Sequence, residues 1–318
     1  MSFWNNLKKP IFVLAPMADV TDVAFRRIIN KYGKPDVFWT EFVSADGLAL
    51  APEEGRKKLL KDLEFSEGEH PIVAQFFTSS PENMKKAAEL AVELGFDGVD
   101  INMGCPDKSI EKQKAGAALM KNPKLARELI RSAKEGAPNL PVSVKTRLGF
   151  NKDELDLWLP EVLAENPAVV TIHARTRKEM SKVPARWERV KRAVEIGDEL
   201  KSETLIFGNG DAEGIDDARR KYLETGCDGV MLGKAIFGNP WLFSEHIPTI
   251  SEKLKVCIEH TKLFEELLGG YKNFAVMKKH YKAYVNGFSG AGELRAKLME
   301  AENAQDVEKA LHSHINLT

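Results

Sequence analysis

The stretch Gly98-Val99-Asp100-Ile101-Asn102-Met103-Gly104-Cys105-Pro106 shows the unit from which the chain is built: a short apolar strand with a polar turn directly behind it. Its β-branched residues favour a buried strand, and the glycine and proline on either side of Cys105 force an abrupt turn. A thiol in such a turn would be held rigidly at a strand end. A cysteine that only fills space under the turn is the competing interpretation, and this motif alone leaves both open.

Eight such apolar runs occur along the chain, at residues 11–15, 37–42, 72–76, 98–102, 142–146, 169–173, 205–208 and 229–233. They recur about every 31 residues, and segments of helical period separate most of them. Ser80-Pro81 opens one helix that Gly95 ends, Asn122-Pro123 opens another, and a third covers residues 213–225. This alternation predicts an α/β fold, a TIM (β/α)8 barrel. An open doubly wound sheet competes, but the first run lacks the Gly-x-Gly-x-x-Gly turn of a Rossmann fold.

After the last run the chain shows helical periodicity alone. We predict about four further helices and divide the chain into a barrel of residues 1–245 and a small all-helical domain of residues 246–318. The segment 272–297 has only one acidic residue, Glu293, whereas its six basic residues are Lys272, Lys278, Lys279, Lys282, Arg295 and Lys297, and His280 adds a possible seventh charge. A solvated helix face and a surface that binds RNA phosphates both explain this segment.

The composition argues against several classes of protein. The 46 Lys and Arg residues balance 47 Asp and Glu residues, so a site for a polyanion must be local. Three cysteines without a close pair argue against a disulfide framework, and no group of candidate ligands has metal-site spacing. No apolar run reaches membrane-spanning length, and the N-terminus lacks a secretory pattern. We therefore expect a cytoplasmic protein that binds neither metal nor membrane.

Polar residues follow nearly every predicted strand. In a TIM barrel, the carboxyl ends of the strands and the loops after them form the active site. The residues at these positions are Pro16, Met17, Glu41, Gln75, Asn102, Cys105, Lys145, Arg147, His173, Arg175, Asn209, Gly210, Asp211, Gly233 and Lys234. The set is rich in cations and amides, which favours an anionic ligand with a ring. The loops after the last two strands contain glycine and suit a phosphate, so we predict a phosphorylated cofactor, most simply FMN.

Six motifs lie in one order along the chain. They are Ala15-Pro16-Met17-Ala18-Asp19-Val20-Thr21-Asp22 with Phe25-Arg26, Asp100-Ile101-Asn102-Met103-Gly104-Cys105-Pro106, Val144-Lys145-Thr146-Arg147-Leu148-Gly149, Ile172-His173-Ala174-Arg175-Thr176, Gly208-Asn209-Gly210-Asp211 and Gly238-Asn239-Pro240-Trp241. Their order and spacing resemble the tRNA-dihydrouridine synthase family. Met277-Lys278-Lys279-His280 and Glu293-Leu294-Arg295 extend the resemblance, more weakly, to the helical RNA-binding domain of that family.

The resemblance implies an FMN enzyme that reduces a uridine of tRNA, in the D-loop region, to 5,6-dihydrouridine, with NADPH or NADH as the outside reductant and a monomeric protein. Cys105 would protonate uracil C5 while the reduced flavin delivers hydride to C6. The implied cofactor residues are Pro16, Met17 and Ala18 at the flavin ring, Gln75, Lys145 and His173 at its polar edge, and Asn209, Gly210, Asp211, Gly233 and Lys234 around its phosphate. The residues implied to bind the base or RNA phosphates are Asn102, Arg147, Arg175, Lys278, Lys279 and Lys282.

The role implied for Cys105 requires a particular protonation state, and the sequence differs from the family pattern at two places. Cys105 must stay a neutral thiol, which nearby cations oppose. Lys234 stands where the family commonly has arginine and offers no bidentate fork. The loop at residues 178–187 lacks an expected glycine at 183 or 184 and an expected aspartate at 186, which affects substrate orientation more than catalysis.

Two other functions remain open on the residues. One is a different FMN-dependent TIM-barrel oxidoreductase acting on a free small molecule, as a dihydroorotate dehydrogenase does; it would not need a basic helical appendage. The other is a non-catalytic RNA-binding module that has kept the barrel, against which Cys105 in its intact motif argues.

Overall fold

A computed structural model describes residues 2–315, of which all but Ser313 and Ile315 are described with their side chains. Eight strands form one parallel sheet: β1 (Ile11–Leu14), β2 (Phe38–Ser44), β3 (Ile72–Phe77), β4 (Gly98–Asn102), β5 (Val142–Arg147), β6 (Val169–His173), β7 (Leu205–Asn209) and β8 (Gly229–Leu232). The strand order is β1-β8-β7-β6-β5-β4-β3-β2, and a parallel bridge between Val13 and Val37 brings the two ends of the sheet together. The predicted barrel and all eight predicted strands are confirmed.

The interior of the barrel is filled by large side chains. Trp4, from a short 3-10 helix before β1, packs against Trp39 and Phe207 with ring centroids 5.8 and 5.6 Å apart. Val13, Val169, Met231 and other apolar residues complete this inner cluster. The barrel is therefore a packed core, and the space for a ligand lies at one end of it.

Among the described residues, nine α-helices precede or follow these strands: α1 (Val23–Tyr32), α2 (Ala45–Leu50), α3 (Glu53–Asp62), α4 (Pro81–Glu93), α5 (Lys108–Lys112), α6 (Pro123–Gly136), α7 (Leu155–Leu163), α8 (Trp187–Glu199) and α9 (Ile215–Thr225). The predicted helix starts are confirmed, because Ser80 and Asn122 each accept a bond from a first-turn backbone N–H. Helix α9 ends at Gly226, whose φ of 71° lies in the left-handed region.

Four helices follow the barrel, as predicted: α10 (Ile250–Leu268), α11 (Lys278–Tyr284), α12 (Ala291–Glu300) and α13 (Ala304–Ile315). Helix α10 packs on α1, where the ring of His260 stacks on Phe25 at 4.7 Å. Nearby, Glu259 accepts bonds of 2.6 Å from both Lys31 Nζ and Tyr32 OH. Apolar residues of both parts belong to one core cluster, so a domain boundary at 245/246 stays a prediction.

In the part of the chain that the structure describes, no helix is both long and apolar enough to cross a membrane.

Candidate active site

A cavity of about 260 Å³ lies at the carboxyl ends of the strands. Its lining residues come from seven of the eight strands and the loops after them, all but β3: Ala15, Pro16, Met17, Phe42, Asn102, Gly104, Cys105, Pro106, Lys145, Arg147, His173, Arg175, Ser181, Asn209, Gly210, Asp211, Ala212, Met231, Gly233 and Lys234. Most of the residues singled out from the sequence therefore meet in one place.

Five of the predicted site residues do not line the cavity. Gln75 is fully buried behind it, Ala18 lies exposed beside it, and Lys278, Lys279 and Lys282 lie on α11. Their roles stay predictions.

Four lining residues were not found from the sequence: Phe42, Ser181, Ala212 and Met231. Phe42 and Met231 lie in predicted strands, but a register shift of β2 between Trp39 and Phe42 changes which of its side chains face inward. Ser181 lies in a loop whose path no local pattern gives. Because side chains alternate between the two faces of a strand, the pattern of β8 could have predicted that Met231 faces the cavity. No local sequence pattern could have predicted the position of Ser181.

A chain of buried hydrogen bonds holds the turn that carries Cys105. The Asn102 Oδ1 atom accepts bonds from the backbone N–H groups of Gly104, at 3.1 Å, and Cys105, at 2.9 Å. Its Nδ2 atom donates to Gln75 Oε1 at 3.0 Å, and Gln75 Nε2 donates to Asp100 Oδ2 at 2.6 Å. These bonds tie the turn to β3 and β4, and the expectation of a rigidly held thiol stays a prediction.

The Cys105 thiol is protonated at neutral pH. Burial raises its pKa above the ordinary value of 9.0, and this outweighs the opposing effect of Arg147 and Lys145. A neutral thiol can donate a proton, whereas a thiolate would act as a nucleophile.

Two arginines build one wall of the cavity. Arg147 donates from Nε to the Gly104 carbonyl at 2.7 Å and from Nη1 to the Met180 carbonyl at 3.0 Å. Arg175 donates from Nε to the Val183 carbonyl at 2.6 Å. Both guanidinium groups therefore hold the loop after β6 in place while remaining part of the lining.

Lys145 and His173 present two different kinds of polar group to the cavity. Burial lowers the pKa of Lys145 to about 8, and its Nζ lies 3.3 Å from Asn209 Oδ1. Burial, together with Arg147 and Lys145, lowers the pKa of His173 well below its usual range. Below pH 8 the site therefore contains a lysine cation beside a neutral imidazole.

The carboxylate among the lining residues is already paired. Asp211 forms an ion pair with Arg175 and accepts a 2.8 Å bond from the Ala185 N–H. Lys145, Arg147 and Lys234 are left as an excess of positive charge, which suits an anionic ligand. Gly210, with a φ of 121°, has no room for a side chain, because a Cβ atom there would lie 2.9 Å from the Cβ atom of Ala185 and 3.3 Å from the ring of His173.

Two of the lysines in the basic segment of the helical part already donate hydrogen bonds to backbone carbonyls. Lys278 Nζ donates to the Met299 carbonyl at 2.6 Å, and Lys279 Nζ donates to the Asp19 carbonyl at 2.8 Å, whereas Lys282 is exposed. The expectation that His280 could add a charge is wrong: the ring is fully buried, and burial lowers its pKa to about 3.

Among residues 2–315, no group of three or more His, Cys, Asp or Glu side chains is arranged to hold a metal ion.

Comparison with known families gives one match over most of the chain. The sequence profile of the family "Dihydrouridine synthase (Dus)" matches residues 13–317. The "Probable tRNA-dihydrouridine synthase 2" of Bacillus subtilis strain 168 is 39% identical over 317 residues, covering 98% of this chain and 95% of that protein. The "Probable tRNA-dihydrouridine synthase" of Staphylococcus aureus strain Mu50 is 39% identical over 316 residues, covering 98% of this chain and 94% of that protein.

Two solved structures share the fold at low sequence identity. Histamine dehydrogenase from Rhizobium sp. 4-9 has a TM-score of 0.54 at 13% identity, covering 79% of this chain and 48% of its own. Morphinone reductase, solved with tetrahydroNAD, has a TM-score of 0.50 at 12% identity, covering 76% of this chain and 89% of its own.

Proposed function

The chain belongs to the dihydrouridine synthase family, and we propose that it is an FMN-dependent oxidoreductase that reduces uridine in tRNA to 5,6-dihydrouridine. The observation that carries this proposal is the Cys105 thiol, which lines a cationic cavity at the mouth of the barrel in a turn held by hydrogen bonds to Asn102. Burial raises the pKa of this thiol, which favours its role as a proton donor. Saturation of the uracil C5–C6 bond needs a hydride at one carbon and a proton at the other, and Cys105 is a donor for the proton.

The chemistry of the cavity fits FMN. Lys145, Arg147 and Lys234 supply positive charge for a phosphate and for the anionic edge of a reduced flavin, and Asp211 does not oppose it because it is paired with Arg175. Gly210 lets the backbone approach a phosphate. When bound, FMN would supply the hydride for uracil C6, and NADPH or NADH would renew it.

The other residues around the cavity would contact the flavin or hold Cys105 in place. Lys145 and His173 would contact the polar edge of the flavin, and Pro16 and Met17 would contact its ring. Gln75 would act on the cofactor site from behind, through Asn102. Asn102 holds the proton donor in place and is a candidate contact for the base.

The two arginines would recognise the base or a nearby phosphate. Arg147 and Arg175 each use their Nε atom to hold the cavity wall. Arg147 Nη1 also donates to the Met180 carbonyl, and Arg175 Nη2 is paired with Asp211. Of the two arginines we therefore expect Arg147, through its Nη2 atom, to make the more direct contact with the substrate.

A base inside folded RNA cannot reach the bottom of this cavity, so the target nucleotide must leave its stack. That costs a few kcal/mol, which contacts with phosphates must offset. The exposed Lys282, together with Lys278 and Lys279, is our candidate for these contacts. We place the substrate uridine in the D-loop region and expect a monomeric protein acting in the cytoplasm.

The direct test is to incubate the purified chain with FMN, NADPH and an unmodified tRNA transcript. We expect dihydrouridine, identified by mass spectrometry of the digested RNA, and no product when NADPH is omitted. Ribosomal RNA and free orotate, whose reduction would give dihydroorotate, are tested as alternative substrates in parallel. A protein that refuses FMN, or one that turns over only a free small molecule, would contradict the proposal.

A further inference from the structure

Glu41 is a buried acid at the mouth of the barrel that does not line the cavity. It lies on β2, where three steps from Trp39 to Phe42 are matched by only two steps, Val73 to Gln75, on the neighbouring strand. This is a β-bulge, a device that redirects a side chain. The Thr40 hydroxyl fastens the bulge, since it donates to the Glu41 carbonyl at 2.8 Å and accepts from the Gln75 N–H at 3.1 Å.

The redirected carboxylate joins two distant parts of the chain. Its Oε1 atom accepts a hydrogen bond from the Asp19 N–H, in the loop after β1. Its Oε2 atom accepts from Lys272 Nζ at 2.6 Å. Lys272 precedes α11 in the helical part, and its Nζ also lies 3.2 Å from Asp62 Oδ1 and 3.7 Å from Asp19 Oδ1.

The loop after β1 is held from both sides. The Asp19 N–H is bonded to Glu41, and its carbonyl accepts from Lys279 Nζ at 2.8 Å. Asp19 has a φ of 55°, a left-handed conformation that a non-glycine residue keeps only where its surroundings enforce it. Two lysines of the helical part therefore help to fix this conformation.

This loop leads directly to the cavity. Pro16 and Met17 are lining residues, and the Met17 carbonyl accepts 3.0 Å bonds from the N–H groups of Val20 and Thr21. A change in the conformation of Asp19 would therefore be passed to Met17 across one tight turn.

We infer that Glu41, Lys272 and Lys279 are positioning residues through which the helical part sets the shape of the cavity wall formed by Pro16 and Met17. The inference depends on the proposed function in one respect, which is that FMN is the ligand of that cavity. Because such a coupling is reciprocal, ligand in the cavity also stabilises the docking of the helical part.

The physical reason for the coupling lies in the burial of Glu41. Its side chain is 6% exposed, and burial raises its pKa to about 7, with Lys272 opposing the rise and Asp22 and Asp62 adding to it. Without Lys272 this pKa would rise further, and a larger fraction of the Glu41 carboxyl groups would be protonated at neutral pH. It would then be a weaker acceptor for the Asp19 N–H, since hydrogen bonds to charged groups are the stronger ones.

The experiment is hydrogen exchange of the full-length protein, followed by mass spectrometry of peptides covering residues 15–22. Lys272→Met keeps the length of the side chain and removes its charge, and we expect exchange in this segment to accelerate about tenfold. The matched control is Lys262→Met, which breaks a 2.6 Å pair with Glu308 inside the helical part. Lys272→Arg keeps the charge and should restore slow exchange.

FMN affinity, measured by quenching of flavin fluorescence, gives the second readout. We expect the dissociation constant to rise about fivefold in Lys272→Met and to stay unchanged in Lys262→Met. If Lys272→Met fails to fold, Lys279→Met removes the bond to the Asp19 carbonyl from an exposed position and should accelerate exchange in the same segment.

The inference and the proposed function fail in different ways. Exchange at residues 15–22 that matches the control overturns the inference, and so does faster exchange with unchanged FMN affinity. A wild-type protein that binds no FMN contradicts the proposed function, and exchange alone then decides the inference.

Discussion

Replacing Asn102 by alanine should loosen the turn that carries Cys105. The side chain makes three buried hydrogen bonds, two as acceptor from the Gly104 and Cys105 N–H groups and one as donor to Gln75. Each is worth about 1 kcal/mol net, and the partners left behind are buried and cannot turn to water. We therefore expect Asn102→Ala to lower the free energy of unfolding by about 3 kcal/mol.

Asn122→Ala is a matched control for this substitution. Asn122 makes one bond, at 3.2 Å, to the Leu125 N–H at the exposed start of α6, and its loss should cost about 1 kcal/mol. Urea-induced unfolding, followed by tryptophan fluorescence, measures both values. If Asn102→Ala costs no more than Asn122→Ala, the network does not hold the turn, and the rigidity argued for Cys105 is wrong.

Three further predictions concern ligands and the backbone. Lys278→Ala combined with Lys282→Ala should weaken tRNA binding and reduce the slope of log Kd against log salt by about two, which filter binding at several salt concentrations measures; an unchanged slope would favour a merely solvated face. Since burial lowers the pKa of Lys145 to about 8, its cation is present below that pH and lost above it, so FMN affinity should fall as the pH rises through about 8 in the wild type and not in Lys145→Met. Gly210→Ala should lower the melting temperature more than Gly287→Ala, because both glycines have a positive φ but only Gly210 has neighbours within 3 Å of the added Cβ.

The sequence was sufficient to predict the barrel and the composition of its mouth. Each strand is a β-branched apolar run bounded by turn residues, and parallel strands place their carboxyl ends at one edge, so the polar residues after them had to meet. The six ordered motifs predicted the family, and the match over residues 13–317 confirms it.

What the sequence could not give is which polar groups become partners across the fold. Arg147 and Arg175 were expected to bind the substrate, and in the structure they also donate to backbone carbonyls of the loop after β6, 33 and 8 positions away in sequence. Lys272 looked like one more cation for RNA, but its ammonium lies among Glu41, Asp62 and Asp19. Such pairings depend on how separate elements pack, which no local pattern records.

The burial of His280 illustrates the same limit. Its neighbours Lys278, Lys279 and Lys282 suggested a charged surface. The ring instead packs between Phe25 and Phe237, with centroids 4.8 and 5.5 Å away. Helix α11 therefore packs with His280 buried against aromatic rings, although the residues around it in the sequence are lysines.

We propose that Cys105 reaches the uracil as a neutral thiol and donates the proton to C5. The measurement that tests it is dihydrouridine formation in tRNA by Cys105→Ala, compared with Cys227→Ala, which removes a buried thiol outside the cavity. We predict that Cys105→Ala binds FMN and oxidises NADPH as the wild type does but forms dihydrouridine about a hundredfold more slowly or worse, whereas Cys227→Ala forms it normally. Undiminished dihydrouridine formation by Cys105→Ala would contradict the assignment of the proton donor.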